Sequence, residues 1–404
     1  IRMMDFNFSK ESLELQDKLK TFFAEHIYPN EELYEKAIID SGDRLHIPEI
    51  LNELKLKAKS ENLWNLFLPD NEYGYGLSNV DYAPLAEITG HNWWAPEVFN
   101  CSAPDTGNME ILAEFGTAEQ KKQWLEPLLE GEIRSCFAMT EPNVASSDAT
   151  NIGSSIVSDG DNYVINGRKW WTSNAINPNA KICIFMGVTN PDSPPYQRQS
   201  QVLVPMDSEG LSIIRPMQVF GYDDGYTGHP ELLFENVVVP KSNIIGGEGM
   251  GFKIAQARLG PGRIHHCMRA IGMAERALSL MIDRSLERET FGQKLAEQGV
   301  IQDWIARSRI KIEEARLLTL KTAWLIDTVG KEEAKIEISS IKVSVVEAAS
   351  YVIDKAIQTH GAMGLSQDTP LARMSAGARV LRIADGPDEV HLRSIAKREI
   401  NKHR

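Results

Sequence analysis

Residues 137–148, Phe-Ala-Met-Thr-Glu-Pro-Asn-Val-Ala-Ser-Ser-Asp, crowd hydroxyls, small side chains and a proline into one stretch. Such a loop lets backbone N–H groups and short hydroxyls approach a ligand closely, which suits a flat heterocycle edge or a phosphate. A plain connecting loop has the same composition, and the residues alone leave both readings open. Three carboxylates, Asp385, Asp388 and Glu389, stand in and just after the turn Ala384-Asp385-Gly386-Pro387. A carboxylate in a dry pocket, its basicity raised by desolvation, can remove an activated C–H proton. An aspartate before Gly-Pro is also an ordinary turn former. Arg288 closes a charged run that begins at Arg284. Its guanidinium fork matches phosphate oxygens bidentately, and a solvated helix-end arginine is the plainer alternative. His265 and His266 are adjacent and cannot point the same way on a helix, so no metal pair is expected there. Cys101, Cys136, Cys183 and Cys267 lie far apart, form no C-x-x-C pair and read as buried small hydrophobes in a reducing compartment.

Three segments of different texture must position these residues. Residues 1–133 read as helices joined by loops such as Leu68-Pro69-Asp70-Asn71-Glu72-Tyr73-Gly74-Tyr75-Gly76. Residues 134–243 carry short β-rich runs at Tyr163–Ile165, Lys181–Met186, Gln201–Val204 and Leu232–Phe234. The Asn166-Gly167 pair after the first run predicts a two-residue hairpin turn, because both positions of a type I′ turn need positive φ. Residues 244–404 return to a helical period. Ile271, Ala274, Leu278 and Ile282 share a helix face, as do Ile301, Trp304, Ile305, Ile312 and Ala315 before a stop at Gly330. A third stripe, Ile341, Val345, Ala348, Val352 and Ala356, ends before Gly361. With the segment after Pro370 these predict a four-helix bundle. Leu259-Gly260-Pro261-Gly262-Arg263 reads as a Gly- and Pro-rich opening ahead of the first of them. The fold class is α+β: an N-terminal α-helical domain, a middle antiparallel β-domain and a C-terminal four-helix bundle.

The 404 residues hold 43 Lys+Arg against 56 Asp+Glu, a net charge of −13, with 42% hydrophobic residues. That is a globular composition without the basic footprint that nucleic acid or an anionic membrane requires. No apolar run reaches the ~18–20 residues that span a bilayer, so no membrane insertion is expected. The opening Ile1-Arg2-Met3-Met4 reads as a short extra segment ahead of a native Met. It has no signal-type apolar core and no Arg-rich transit pattern. A cytoplasmic protein is expected if the source is bacterial, and a matrix or peroxisomal one if it is a processed eukaryotic form.

Thr140-Glu141-Pro142 followed by small residues and Ser147-Asp148 resembles the flavin-contacting loop of acyl-CoA dehydrogenases. Asn166-Gly167-Arg168-Lys169-Trp170-Trp171-Thr172-Ser173-Asn174 resembles that family's N-G-x-K-x-W-I-T-N strand. Arg288-Glu289-Thr290-Phe291-Gly292-Gln293 is similar to its R-x-x-F-G-x motif, and Gln358-Thr359-His360-Gly361-Ala362-Met363-Gly364 to its Q-x-x-G-G-x-G turn. Ala384-Asp385-Gly386-Pro387 takes the place of Y-E-G-T. Five motifs in order cover nearly the whole chain, and together they are specific where each alone is weak.

The resemblance implies an acyl-CoA dehydrogenase-like fold and an FAD cofactor. Phe137, Met139, Thr140, Ser146 and Ser147 would line the isoalloxazine. Trp171 would cover one of its faces, with Thr172 and Ser173 hydrogen-bonding beside it. Arg288 would clamp the pyrophosphate with Phe291 next to it, and the Gln358/Gly361 turn would reach the adenosine side. In this family those last contacts come from a neighbouring subunit, so a homodimer, or a homotetramer built from dimers, is implied. Glu389 is placed among the cofactor contacts as well.

By the same resemblance Asp385 is the base that removes the α-proton of an acyl-CoA, while the β-hydrogen leaves as hydride to flavin N5. The family mostly has Glu here. The shorter Asp resembles a branch linked to long-chain or 4-hydroxylated acyl-CoA substrates. Asp388 and Glu389 are neighbouring candidates for the same role. Some members carry a Glu base on the helix around residue 263, but no carboxylate lies between Ile254 and Ala274. Arg263, Ser147 and Gly386 are expected at the substrate. An electron-transfer flavoprotein is the implied electron acceptor. Two other readings share the fold: a nitroalkane-oxidase-like flavin oxidase, which also uses an aspartate base, and a flavin-bearing nucleic-acid-binding homologue, which the acidic charge disfavours.

Overall fold

The computed structural model describes residue 5 and residues 7–404; the Ile1-Arg2-Met3-Met4 opening read above lies outside them. In chain order α1 (Lys10–Phe22), α2 (Glu31–Ser41), α3 (Glu49–Ser60), α4 (Asn79–Thr89), α5 (Ala95–Val98), α6 (Asp105–Phe115), α7 (Ala118–Gln120) and α8 (Glu126–Glu130) precede the sheet. Its strands are β1 (Arg134–Ala138), β2 (Ser155–Asp159), β3 (Asn162–Lys169), β4 (Ala180–Val188), β5 (Gln199–Pro205), β6 (Leu211–Met217) and β7 (His229–Pro240). Then come α9 (Gly251–Glu287), a small hairpin of β8 (Glu289–Thr290) and β9 (Gln293–Lys294), and α10 (Gly299–Val329). The chain finishes with α11 (Lys335–His360), α12 (Ala362–Leu365), α13 (Leu371–Leu381) and α14 (Asp388–Asn401). The expected α–β–α order holds. Contacts divide the chain into two compact units, one of Pro29–Tyr75 and Val98–Pro261, the other of the residues up to Tyr28, Gly76–Glu97 and Gly262–Arg404. Among the described residues no helix is long and apolar enough to cross a membrane.

The first unit is built on the sheet, in the order β1-β4-β2-β3-β7-β6 with β5 also on β4. It is largely antiparallel, but β1 runs parallel to β4, and β2 touches β4 in parallel at Ser155. Residues two apart on each strand fill its core: Tyr163 and Ile165, Cys183 and Phe185, Val202 and Val204, Leu232 and Phe234, Val237 and Val239. That is the period-2 alternation of strands, although β4 and β5 are buried on both faces. Each fully buried apolar side chain contributes roughly 1.5–3 kcal/mol. All four cysteines are free and buried, as expected.

The predicted Asn166-Gly167 hairpin turn is not there. β3 runs through it to Lys169, and the chain reverses instead at Gly160-Asp161, the two residues between the paired Asp159 and Asn162, with Gly160 at φ 58°. Glycine at the first loop position supplies the positive φ that a two-residue turn of the Gly-X kind needs there. Gly167 serves another purpose: it stands at the register shift against β7, where an added Cβ would collide with the Ser154 side chain.

In the second unit Ser9 and Ser78, both in extended conformation, accept from the N–H groups of Ser12 and Asp81 (3.1 Å each) and start α1 and α4. α11 packs against α10, α13 and α14. Its stripe Ile341, Val345, Ala348, Val352 and Ala356 is buried throughout, as are Ile271, Ala274 and Leu278 of α9. The predicted opening at Gly260-Pro261-Gly262 is instead interior to α9, which is continuous over 37 residues. Pro261 removes one backbone donor there, and the flanking glycines leave that turn without side chains. The segment after Pro370 is two helices, α13 and α14, and the bend between them carries Asp385.

Three imidazoles of this unit are held neutral. Burial, with Arg276 beside it, pushes His91 down to about 4. Burial, with Arg269 and His266, pushes His265 to about 3, and burial, with Arg263 and Lys342, pushes His391 to about 4. The unfolded chain protonates them near pH 6.5 and the folded chain only well below that, so the unfolded state binds more protons in between. Stability is therefore full above about pH 7 and declines as pH falls, by up to ~1.4 kcal/mol per pH unit for each histidine. Urea midpoints at about pH 7.5 and pH 5.5 check this, and equal midpoints contradict it.

Candidate active site

The residues expected at a flavin fall in the sheet-based unit. β1 delivers Phe137, with the Arg258 guanidinium 4.2 Å from its ring centroid, and then runs into the loop of Met139 to Ser147. The loop lies along the end of β3, because the Trp170 N–H donates to the Thr140 carbonyl at 3.0 Å. Two buried charges hold it. Lys169, 0% exposed, donates to the carbonyls of Met139 (2.8 Å) and Met186 (2.7 Å) and to the Glu141 carboxylate (2.8 Å). Glu141 also accepts from the N–H groups of Gly153 (2.7 Å) and Ser154 (3.0 Å) and from the Ser154 hydroxyl. Burial pushes Lys169 down to about 8, even with Glu141 opposing. On Glu141 burial acts upward, but Lys169 and the Ser154 and Gly153 donors outweigh it and hold the carboxyl below its ordinary value. The Ser146 hydroxyl accepts from the Glu141 N–H at 2.9 Å, while Thr140 and Ser147 are exposed.

Past β3, Trp171 is 39% exposed in a left-handed backbone conformation, φ 52°. Its ring is 6.0 Å from that of His229, whose Nδ1 lies 2.7 Å from the Ser173 hydroxyl and whose Nε2 lies 2.8 Å from an Asp224 oxygen. The Thr172 hydroxyl between them is buried without a hydrogen-bond partner. A buried donor in that state costs roughly 1–3 kcal/mol, and an acceptor arriving beside it removes the cost. With a part-exposed indole and the hydroxyls of Thr172 and Ser173 next to it in the chain, this set fits a flat heterocycle with polar edges.

The helical unit holds the remaining expected residues. Asp385 adopts a left-handed conformation (φ 57°) and Gly386 follows at φ 103°. The bend is fastened from three helices. Arg263 Nε of α9 donates to the Asp385 carbonyl at 2.9 Å, and His391 Nε2 of α14 lies 3.2 Å from the same oxygen. Lys342 of α11 donates to the Leu381 carbonyl and, at 3.4 Å, to that of Gly386. Asp385 Oδ2 lies 3.2 Å from His266 Nε2 and is the atom that a Cβ on Gly262 would meet, at 3.4 Å. The bare turn of α9 is thus where the carboxylate lies. The two alternative carboxylates differ from it: Asp388 is buried and paired with Arg382 Nε at 2.8 Å, and Glu389 is exposed in the first turn of α14.

Arg288 follows α9 and is exposed, and Phe291 in the hairpin tip is 98% exposed at φ 49°. Gln358 is exposed at the end of α11, and Gly361 caps that helix at φ 64°. Arg263, read above as a substrate contact, is brought to the backbone of the Asp385 bend. No group of His, Cys, Asp or Glu among the described residues could hold a metal ion.

Sequence reasoning missed Glu141, Lys169, His266, Lys342 and His391 as residues that hold the site. A signal existed for Lys169, which shares strand parity with the inward-facing Tyr163 and Ile165. The other four carry none, since no local period or spacing links them to the groups they hold.

Residues 9–132, 136–237 and 249–400 match the family models described as acyl-CoA dehydrogenase N-terminal, middle and C-terminal domains. A probable acyl-CoA dehydrogenase of Mycobacterium tuberculosis is 55% identical over 99% of this chain and 98% of its own length. Acyl-CoA dehydrogenase family member 10 of Mus musculus is also 55% identical, over 96% of this chain, but the match spans only 37% of the mouse protein. The solved structure of a putative acyl-CoA dehydrogenase from Mycobacterium abscessus is similar at TM-score 0.96 and 48% identity, covering 98% of this chain and all of that one.

Proposed function

This chain belongs to the acyl-CoA dehydrogenase family, and on that premise we propose that it is an FAD-dependent enzyme that dehydrogenates an acyl-CoA thioester across its α and β carbons. The observation that carries the reading is the Asp385 bend: its backbone carbonyls are held by Arg263, His391 and Lys342, which sets the Asp385 carboxylate against Gly262 of α9. A base for an acidified C–H bond needs that fixed backbone and a shape open to substrate on one side. Asp385 accepts the α-proton. Bound FAD supplies the acceptor for the β-hydride.

The residues that would hold FAD are those of the sheet-based unit of one copy, together with Arg288, Phe291, Gln358 and Gly361 of a second copy. Thr172 offers a buried, unused hydroxyl, Trp171 an exposed indole face, and the Glu141–Lys169 pair fixes the loop that carries Thr140 and Ser146. Ser147, Arg263 and Gly386 border the acyl-CoA in this reading. A solvent-facing phenylalanine at 98% exposure, next to Arg288, supports a second copy of the chain covering that hairpin. Electrons then pass to an electron-transfer flavoprotein.

The test is the purified holoprotein. It is expected to be yellow with FAD, to sediment as a dimer or tetramer, and to bleach anaerobically with members of an acyl-CoA panel of varied chain length. The bleached protein is expected to reoxidise slowly in air and rapidly with electron-transfer flavoprotein. Bleaching by nitroalkanes alone, with rapid peroxide release in air, overturns the reading in favour of an oxidase.

A further inference from the structure

Asp385 has a side-chain partner that the proposed reaction does not use. His266, one turn along α9 from Gly262, places Nε2 3.2 Å from Asp385 Oδ2, and both side chains are about a fifth exposed, 21% and 20%. On the far side of the ring, Arg269 NH2 lies 3.0 Å from His266 Nδ1. A guanidinium can only donate, so Nδ1 must be the accepting nitrogen and the ring proton of the neutral imidazole sits on Nε2. That N–H points at the carboxylate. Burial, ahead of the opposing pull of Asp385, keeps His266 below the ordinary imidazole value, which favours the neutral ring.

We propose that His266 is a positioning residue for Asp385: locked by Arg269 as the Nε2–H tautomer, it donates to Oδ2 and fixes the rotation of the carboxylate. The inference rests on Asp385 being the base of the proposed dehydrogenation. Three consequences follow from the bond. Rotation about the Asp385 Cβ–Cγ bond is arrested, which a short aspartate on a left-handed bend needs more than a long glutamate, because it has one fewer torsion with which to find its target. The ionised carboxylate is favoured over the acid by the Nε2–H donor. The chain Arg269–His266–Asp385 lies largely on one helix, so the base is aligned by α9 and not only by its own bend.

Other charged and titratable groups face Asp385 and also bear on its titration. They are Arg263 and Cys267 on α9, Lys342 on α11 and His391 on α14. All of them stay in place when His266 is replaced, so the change read below belongs to His266.

The experiment is anaerobic flavin reduction by acyl-CoA, followed in stopped flow from about pH 5 to pH 9, in holoenzyme carrying His266→Leu or His266→Gln. His266→Leu removes the donor and is expected to move the acidic limb of the rate profile to higher pH by about one unit. Its limiting rate is expected to fall about ten-fold, with the substrate concentration for half-saturation unchanged. His266→Gln keeps an N–H donor and is expected to hold the limb near the wild-type position. If His266→Leu does not fold, Arg269→Leu frees the tautomer and is expected to move the limb the same way by a smaller amount. A limb that stays put in both His266→Leu and Arg269→Leu, or one that moves equally in His266→Gln, overturns the proposal while leaving the dehydrogenase reading intact. Wild-type enzyme that no acyl-CoA reduces overturns that reading first, and this inference with it.

Discussion

Lys169→Met is expected to cost about 3–5 kcal/mol of stability, because it leaves the Glu141 carboxylate buried without its cation. Lys169 is fully buried and uses its three donors on Met139, Glu141 and Met186, so no solvent is at hand to replace it. A methionine fills much of the volume but restores none of those bonds. The two Ser154 donors and the Gly153 N–H remain to Glu141, which sets the cost below that of a bare ion. The loss also has a pH signature. Removing Lys169 takes away the strongest influences that hold the Glu141 carboxyl down, so it moves up from its wild-type value and the folded variant binds a proton more readily than the folded wild type. The deficit is then largest at neutral pH and shrinks as the medium is acidified toward and below the raised value. Adding Glu141→Gln to Lys169→Met removes the stranded charge and is expected to recover part of the loss, a non-additivity that marks the pair as coupled. Urea unfolding of the three proteins measures this, and a cost under about 1 kcal/mol for Lys169→Met contradicts it. FAD retention is expected to weaken in parallel, since the same lysine fixes the carbonyl one residue before Thr140.

What could be read in the sequence was what repeats along it. Apolar stripes such as Ile341, Val345, Ala348, Val352 and Ala356 need only a local period, and they are buried as that period requires. Turn chemistry was legible in type but not in place. Asn166-Gly167 and Gly160-Asp161 are both turn-forming pairs, yet only the second closes a hairpin, while Gly167 admits the close approach of Ser154, which no local pattern contains. Gly260-Pro261-Gly262 reads as a helix boundary, yet the flanking turns of α9 are packed well enough to carry the helix through a missing donor. The site divides in the same manner. Asp385 is marked by its turn and by the motif it stands in, whereas His266, Lys342 and His391 act on it from 119, 43 and 6 positions away and have no sequence signal in common. Arg263 was singled out for its charge, and the hydrogen bond it makes to the Asp385 backbone depends on how α9 and the α13–α14 bend pack.

Asp385→Asn is expected to slow flavin reduction by acyl-CoA by about 10⁴-fold, the upper end of what a general base contributes, because the substitution removes the proton acceptor and little else. Asparagine keeps the size of aspartate and tolerates the left-handed conformation at φ 57°, so the bend and its bonds from Arg263 and His391 are preserved. The amide oxygen can still accept from His266, which keeps the side chain in place. Acyl-CoA is expected to bind and perturb the flavin spectrum as before, since binding draws on contacts other than the carboxylate. Asp388→Asn, at a carboxylate already tied to Arg382, and Glu389→Gln, on the exposed face of α14, are expected to change the chemical step far less. If Asp385 merely formed the turn, asparagine, an equally good turn residue, would serve as well. The measurement is anaerobic stopped-flow reduction of the Asp385→Asn holoenzyme beside the wild type: a fall of several orders of magnitude with the binding transient retained is the predicted result, and reduction at near wild-type rate contradicts the account.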